Sequence, residues 1–365
     1  MEERGRLKKY FPGNNTAYGF YSFYDYIIEP DATRIFVIKG GPGVGKSSFM
    51  KNIGEELLNM GFDVEMHCCS SDNDSLDGVV IPKIRVALID GTAPHVVDPK
   101  NPGGVDEILN LGEFWDESKL RIHKYEIINY NKEIGRLFNR AYNYLRAAKN
   151  LFENIENANK KALDFKVIYQ ITENLITDIF KESKGFDKWG KERHLFASAI
   201  TPDGVIEYMD TLIEGTERIY TILGDFGTGK THIMKEIGKR AQSLGYYVEY
   251  LHLPLLPEKL EHIIIPELST VITTFEKYAG MSKLVVDLNQ MVNKNISDVN
   301  REEREMDREY YNKFIEEAVK NINGAKKTHD EMEKFYIESM NFEGVDSLRK
   351  KIIERILRYA EEMGV

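Results

Sequence analysis

Two stretches of this 365-residue chain place glycines, a lysine and a hydroxyl at the spacing that cradles a phosphate. Gly40-Gly41-Pro42-Gly43-Val44-Gly45-Lys46-Ser47 and Gly224-Asp225-Phe226-Gly227-Thr228-Gly229-Lys230-Thr231 both fit G-x-x-x-x-G-K-[ST]. Glycines let consecutive backbone N–H groups turn inward as an anion nest, and a following helix adds the positive end of its dipole. Lys46 and Lys230 are expected to reach the β- and γ-phosphates of a nucleotide, and the Ser47 and Thr231 hydroxyls to ligate Mg²⁺. Ser48 and His232 extend the two predicted nucleotide-binding segments by one residue each. A second metal residue is expected at the end of a nearby strand. Arg85-Val86-Ala87-Leu88-Ile89-Asp90 provides it in the first stretch, with Asp90 as the metal-holding and catalytic carboxylate. In the second stretch the ungapped equivalent of Asp90 is the neutral Thr274. Leu284-Val285-Val286-Asp287 ends in an acid, but Asp287 aligns better with Asp98. The second site is therefore expected to bind nucleotide and to hydrolyse it poorly.

Hydrolysis also needs a group that orients water. Gly91 follows Asp90, so a paired second acid is missing there. Asp72 and Asp74, in Ser70-Ser71-Asp72-Asn73-Asp74-Ser75-Leu76-Asp77, are the candidates for a base or for the acceptor of a substrate hydroxyl; an Asp/Asn/Ser-rich loop is the competing reading. Thr92 and His95, beyond Asp90, are candidates for sensing the γ-phosphate, and Arg136, Arg140 and Arg146 for an arginine finger or a solvated helix face. His67-Cys68-Cys69 contains metal-ligand types, but consecutive strand residues point to opposite faces, so zinc is not expected. Trp115 and the tyrosine-rich helices read as hairpin core rather than as a base-stacking surface.

The elements that must carry these groups occur twice. Arg34-Ile35-Phe36-Val37-Ile38-Lys39-Gly40 returns as Arg218-Ile219-Tyr220-Thr221-Ile222-Leu223-Gly224, and the match runs on without a gap through Ile81-Pro82 and Ile265-Pro266. A tandem duplication follows, with a boundary near Gly185–Gly190. The first repeat is 1–187, with a core at about 8–115 and a helical hairpin at about 116–185. The second is 188–365, with a core at about 192–292 and a hairpin at about 297–363. Each core reads as apolar strand (Ile35–Ile38; Ile219–Leu223), glycine loop and helix, a strand at Phe62–Cys69 or Tyr246–Leu253, a helical or irregular link, and a third strand at Arg85–Ile89 or Thr270–Thr273. The predicted class is α/β, two tandem P-loop NTPase cores with parallel sheets, each followed by a long hairpin projecting from it. The hairpins are predicted to break at Asn157-Ala158-Asn159 and at Asn341-Phe342-Glu343-Gly344.

Composition narrows the function classes. Lys and Arg number 49 against 59 Asp and Glu, a net charge of −10 that disfavours non-specific nucleic-acid or anionic-membrane binding. No apolar run reaches the roughly 20 residues of a spanning helix, and no signal core follows Met1. The two cysteines, Cys68 and Cys69, are adjacent, so a disulfide framework is not expected and a reducing, cytoplasmic setting is.

The two loops, together with Asp90-Gly91-Thr92-Ala93-Pro94-His95 and Asn110-Leu111-Gly112-Glu113-Phe114-Trp115-Asp116, make the chain resemble a bacterial family of tandem P-loop proteins described as ATPases or ATP-binding proteins. The resemblance covers essentially the full length and implies ATP binding in the cytoplasm, with no substrate attached. Gly227-Thr228-Gly229-Lys230-Thr231-His232 is also similar to the loop of AAA+ replication initiators and helicase loaders. The expected function is a Mg-dependent ATPase with ATP and Mg²⁺ as cofactors, a competent first site and a mainly regulatory second one. The alternatives are a kinase for a small molecule or nucleotide and a nucleotide-gated interaction module with little turnover. An intramolecular pseudo-dimer is expected, with the hairpins as the surface for a protein partner.

Overall fold

In the computed structural model, which describes residues 4–92, 97–293 and 301–365, the two halves repeat one architecture. The first half runs β1 (Leu7–Tyr10), β2 (Gly13–Thr16), β3 (Gly19–Ser22), β4 (Arg34–Lys39), α1 (Lys46–Asn59), β5 (Val64–Cys68), β6 (Leu76–Ile81), β7 (Val86–Asp90) and β8 (Asp106–Asn110). Its helical tract follows as α2 (Glu117–Ile122), α3 (Lys124–Lys161) and α4 (Phe165–Phe180). The second half runs β9 (Glu192–Leu195), β10 (Ser198–Thr201), β11 (Gly204–Glu207), α5 (Met209–Ile213), β12 (Arg218–Leu223), α6 (Lys230–Ser243), β13 (Val248–His252), β14 (Leu260–Ile265), β15 (Thr270–Thr273) and β16 (Leu284–Asp287). It closes with α7 (Arg301–Ile337) and α8 (Phe342–Glu362). Both cores hold a six-stranded sheet in the same order, β1-β5-β6-β7-β4-β8 and β9-β13-β14-β15-β12-β16. Ile35–Ile38 of β4 are all buried, as expected of a strand covered on both faces. Among the described residues no helix is long and apolar enough to cross a membrane.

The sheets are mixed, which corrects the expectation of parallel sheets. β6 lies between β5 and β7 and runs antiparallel to both, with Val79 opposite Met66 and Leu88. β14 does the same between β13 and β15. The stretch expected to be a helical or irregular link is instead a turn and a strand. The Ser75 amide bonds back to the Asp72 carbonyl at 3.0 Å, reversing the chain. The β-branched run Val79-Val80-Ile81 then fills a fully buried ladder.

Where the halves meet, Phe11 faces its own counterpart Phe196, as a two-fold relation allows on its axis. Phe11 and Phe196 exchange backbone hydrogen bonds at 2.9 and 3.0 Å. The Asn14 amide donates to the Ser198 carbonyl and accepts from the Ile200 N–H. Beside them the Arg193 guanidinium donates to Glu65 of the first half at 2.7 and 3.1 Å and lies 3.7 Å from Glu249, which accepts from the Tyr10 hydroxyl at 3.0 Å. Burial opposes ionisation of Glu65, yet Arg193 and His67 together outweigh it and hold the carboxyl far below its usual range.

The hairpins do not project from their own cores. α3 and α7 lie antiparallel against each other, with Tyr144 near Phe314 and His123 stacked on Phe335. Each tract then crosses to the opposite half. Ile168, Leu175 and Ile179 of α4 complete the core around α6, while Val345, Ile352, Ile353 and Ile356 of α8 complete the core around α1. An amphipathic helix carries an apolar stripe but no address for the core it will cover. The first break also moves: α3 continues through Asn157–Asn159 to Lys161, and Asp164 caps α4 by accepting from the Lys166 amide. The second stands beside Asn341, which caps α8.

Candidate functional site

The first glycine loop joins buried β4 to α1. Gly43 (φ +67°) and Gly45 (φ +88°) take left-handed backbone that side-chain-bearing residues rarely adopt, and Gly45 is the N-cap of α1. That geometry places Lys46 first on the helix, with Nζ donating to the Gly40 and Gly41 carbonyls at 3.1 and 2.8 Å. Asp90 ends β7 beside it, with Oδ2 3.7 Å from the Lys46 amine. The other carboxylate oxygen accepts from the Thr92 N–H and hydroxyl at 2.9 and 2.5 Å. The Ser47 hydroxyl accepts from the Leu76 amide at 2.9 Å, which ties α1 to the start of β6.

These groups open onto one cavity of about 730 Å³ lined by Gly40–Ser48, Asp90, Thr92 and the carboxylates Asp72 and Asp74. The structure therefore gathers the loop residues, Asp90, Thr92, Asp72 and Asp74 of the first half at one place, while His95 lies outside the described residues. Asp72 is engaged: it accepts from the Ser75 hydroxyl at 2.7 Å and stands 3.7 Å from Lys326. The arginine candidates are elsewhere. Arg136 pairs with Glu133, Arg140 lies over Tyr144, and Arg146 bonds Asn143, all along α3 itself.

The residues that sequence reasoning missed lie on the long helices: Asn131, Ile134 and Phe138 of α3 line the cavity, and others come from the other half. Lys326, His329 and Glu333 of α7 form the roof of the cavity. Glu333 Oε1 accepts from the Gly43 amide at 3.0 Å. A side chain at Gly41 would meet the Tyr336 ring at 2.7 Å, and Phe342 stands 3.4 Å from where a Cβ at Gly45 would be. His329, Asp330 and Glu333 bring ligand atoms within 4.8 Å of one another, but Lys326 already clasps Asp330 at 2.9 Å and the Gly43 amide holds Glu333. A signal existed and was weak. The bridges Trp115–Met340 and Leu163–Val292 make Leu163 the counterpart of Met340, and hence Glu156 the counterpart of Glu333. That spacing is 177 positions, as it is for Asn110 and Asp287 and for the buried pairs Ala141–Ala318 and Leu145–Ile322, against 184 over the glycine loops and 181 at Tyr130 and Tyr311.

The second loop has the same backbone and a different filling. Gly227 and Gly229 again have positive φ, and the Thr231 hydroxyl accepts from the Leu260 amide at 3.3 Å. Phe226, however, stacks on Phe152 of α3 at 4.1 Å and beneath Arg308 of α7. Asp225 pairs with Arg308, and the Asn159 amide donates to the Phe226 carbonyl at 2.8 Å. Where the first half has Ser71 and Asp72, the second has Leu255 and Leu256, buried against Phe152, Ala148 and Ile322. Thr228 is buried and His232 is exposed. The register of β12 on β15 continues from Thr221–Thr273 to put Thr274 at the position of Asp90. Asp287 pairs with Leu223 as Asn110 pairs with Lys39, so its counterpart is Asn110 and not Asp98; both cap the short helix that follows.

Lys230 donates to the Gly224 and Asp225 carbonyls. Burial, offset in part by Asp225, brings its amine down to about 8 from the usual 10.5. The unfolded chain then binds more protons than the folded one between those values, so folding should grow more favourable as pH rises from about 8 to 10.5. Denaturant midpoints across that range should show a rise that Lys230→Met abolishes.

His67 is buried, and burial pushes the Cys68 thiol up to about 12 and raises that of Cys69 as well. Comparison with protein-family models, with curated proteins and with solved structures gives no match for the chain.

Proposed function

We propose that the chain is an ATP-binding P-loop protein and a Mg-dependent ATPase, with the first loop as the working site and the second as a mainly structural and regulatory copy. The observation that carries this reading is the convergence of Lys46, Ser47 and Asp90 on one cavity at the glycine loop. The residues suit a magnesium nucleotide, since the Gly43 amide already takes an anionic oxygen, that of Glu333. Gly43, Gly45 and Lys46 would hold the phosphates, and Ser47 and Asp90 the metal. The bound nucleotide would supply the γ-phosphoryl group. Lys46 would bring positive charge to the place where negative charge develops, and the roof of α7 would exclude bulk water. Asp72 and Asp74 line the same cavity and favour a second reading, a hydroxyl acceptor for the phosphoryl group.

Calorimetric titration of the full-length protein with MgATP tests the reading. One nucleotide per chain is expected, with affinity falling by about 10- to 100-fold in Asp90→Asn as the metal loses its outer partner. Absence of heat with any magnesium nucleotide, from the parent and from Glu333→Ala alike, would refute it. Release of ADP stimulated by hydroxyl-bearing metabolites, and lost in Asp72→Asn, would move the assignment to a kinase.

A further inference from the structure

We propose that Glu333 is an internal competitor for phosphate at the first loop, so that a nucleotide enters only by pushing the second half's helical hairpin off Gly43. The proposal rests on the reading of that loop as the nucleotide site. An anion nest selects for anionic oxygens, and the Gly43 amide is spent on one that the chain itself supplies, Glu333 Oε1 at 3.0 Å. The approach is close. A Cβ on Gly43 would stand 2.9 Å from the Glu333 carbonyl oxygen, so the helix end rests directly on the loop. Tyr336 over Gly41 and Phe342 beside Gly45 belong to the same turn of chain, so one short segment of the second half covers three glycines of the first.

The other loop shows what a permanent closure looks like. Its counterpart glutamate, Glu156, is bound by Lys259 at 2.5 Å and lies 3.3 Å from Lys160, and the flanking Asn159 is tied to Phe226 and to Arg304. The position matching Lys259 in the first half is Ser75, short and neutral. Glu333 has the Gly43 amide and His329, whose Nδ1 is 3.6 Å away, in place of that lysine clasp. Triphosphate can displace a carboxylate held by a backbone amide; it cannot readily displace one neutralised by two lysines and flanked by a stacked phenylalanine. The same swapped architecture thus makes one loop a releasable lock and the other a fixed clasp. Because Met340 bridges to Trp115 and α8 packs on α1, displacement of Glu333 is passed to the chain on both sides of it.

Nucleotide affinity of the full-length protein tests the proposal, measured for the parent, Glu333→Gln and Glu333→Ala. Removing one charge-assisted competitor should tighten MgATP binding by about tenfold in Glu333→Ala, with Glu333→Gln between it and the parent. Amide exchange over residues 329–342 should rise when the parent binds MgATP and stay flat in Lys46→Ala. Circular dichroism reports whether each variant is folded; the near-isosteric Gln variant carries the test if the Ala variant is not. A parent that binds MgATP while both variants bind it equally or more weakly would overturn the competitor and leave the nucleotide site standing. Variants that bind while the parent does not would establish the lock in its strongest form. No binding by any of the three would remove the nucleotide site, and the competitor with it.

Discussion

Lys46→Ala should lower ATP turnover by about 10²- to 10³-fold, while Lys230→Ala leaves it near that of the parent. The two lysines occupy equivalent positions at the start of α1 and α6, so sequence position alone would give them equal weight. Their surroundings differ. Lys46 faces a cavity with Asp90 3.7 Å away, whereas Lys230 is buried beneath Asp225 and the stacked Phe226, with Thr274 where a metal-holding acid would be. A positive charge accelerates phosphoryl transfer only where substrate reaches it. Steady-state phosphate release by the two variants is the measurement. Loss in Lys230→Ala with retention in Lys46→Ala would reverse the assignment of roles.

Arg193→Leu should lower the unfolding free energy by about 3–5 kcal/mol, because it strands two buried carboxylates, Glu65 and Glu249, at the contact between the halves. The cause is the charge left behind rather than the strength of the pair, so replacing Glu65 by Gln in the same chain should recover part of the loss. The pH dependence has a definite sign. In the parent, Arg193 holds the Glu65 carboxyl well below its ordinary value of 4.5, so the stabilisation is present above that pH and is lost as pH falls. The deficit of Arg193→Leu should therefore be largest near neutrality and shrink below about 4.5. Chemical denaturation at pH 7 and pH 4 checks both parts; equal deficits at the two pH values would contradict the electrostatic cause.

The α/β character, the repeat and the loops were legible because glycines at positive φ and buried β-branched runs leave strong local signals, as at Gly43, Gly45 and Ile35–Ile38. β6 was not legible. The stretch reads as a helical or irregular link because the polar residues of Ser70–Asp77, which form the turn, run into the strand beginning at Leu76. The exchange of hairpins was also hidden, since the apolar stripe of Ile352, Ile353 and Ile356 would suit either core equally well in sequence. The apolar filling of the second site is carried by the sequence itself, in Leu255-Leu256 where the first half has Ser71-Asp72. Glu333 needed three dimensions, because the tracts match at a spacing of 177 rather than the 184 of the loops or the 181 of Tyr130 and Tyr311, so the sequence alignment does not pair it with Glu156.

A structure of the full-length protein with a non-hydrolysable ATP analogue and Mg²⁺ tests the central claim most directly. The account predicts the triphosphate against the amides of Gly43 and Gly45, Mg²⁺ beside Ser47 and Asp90, Glu333 withdrawn, and the second loop still closed by Glu156 and Phe226. An analogue seated at Lys230 with the first loop empty, or absent from both loops at saturating concentration, would contradict it.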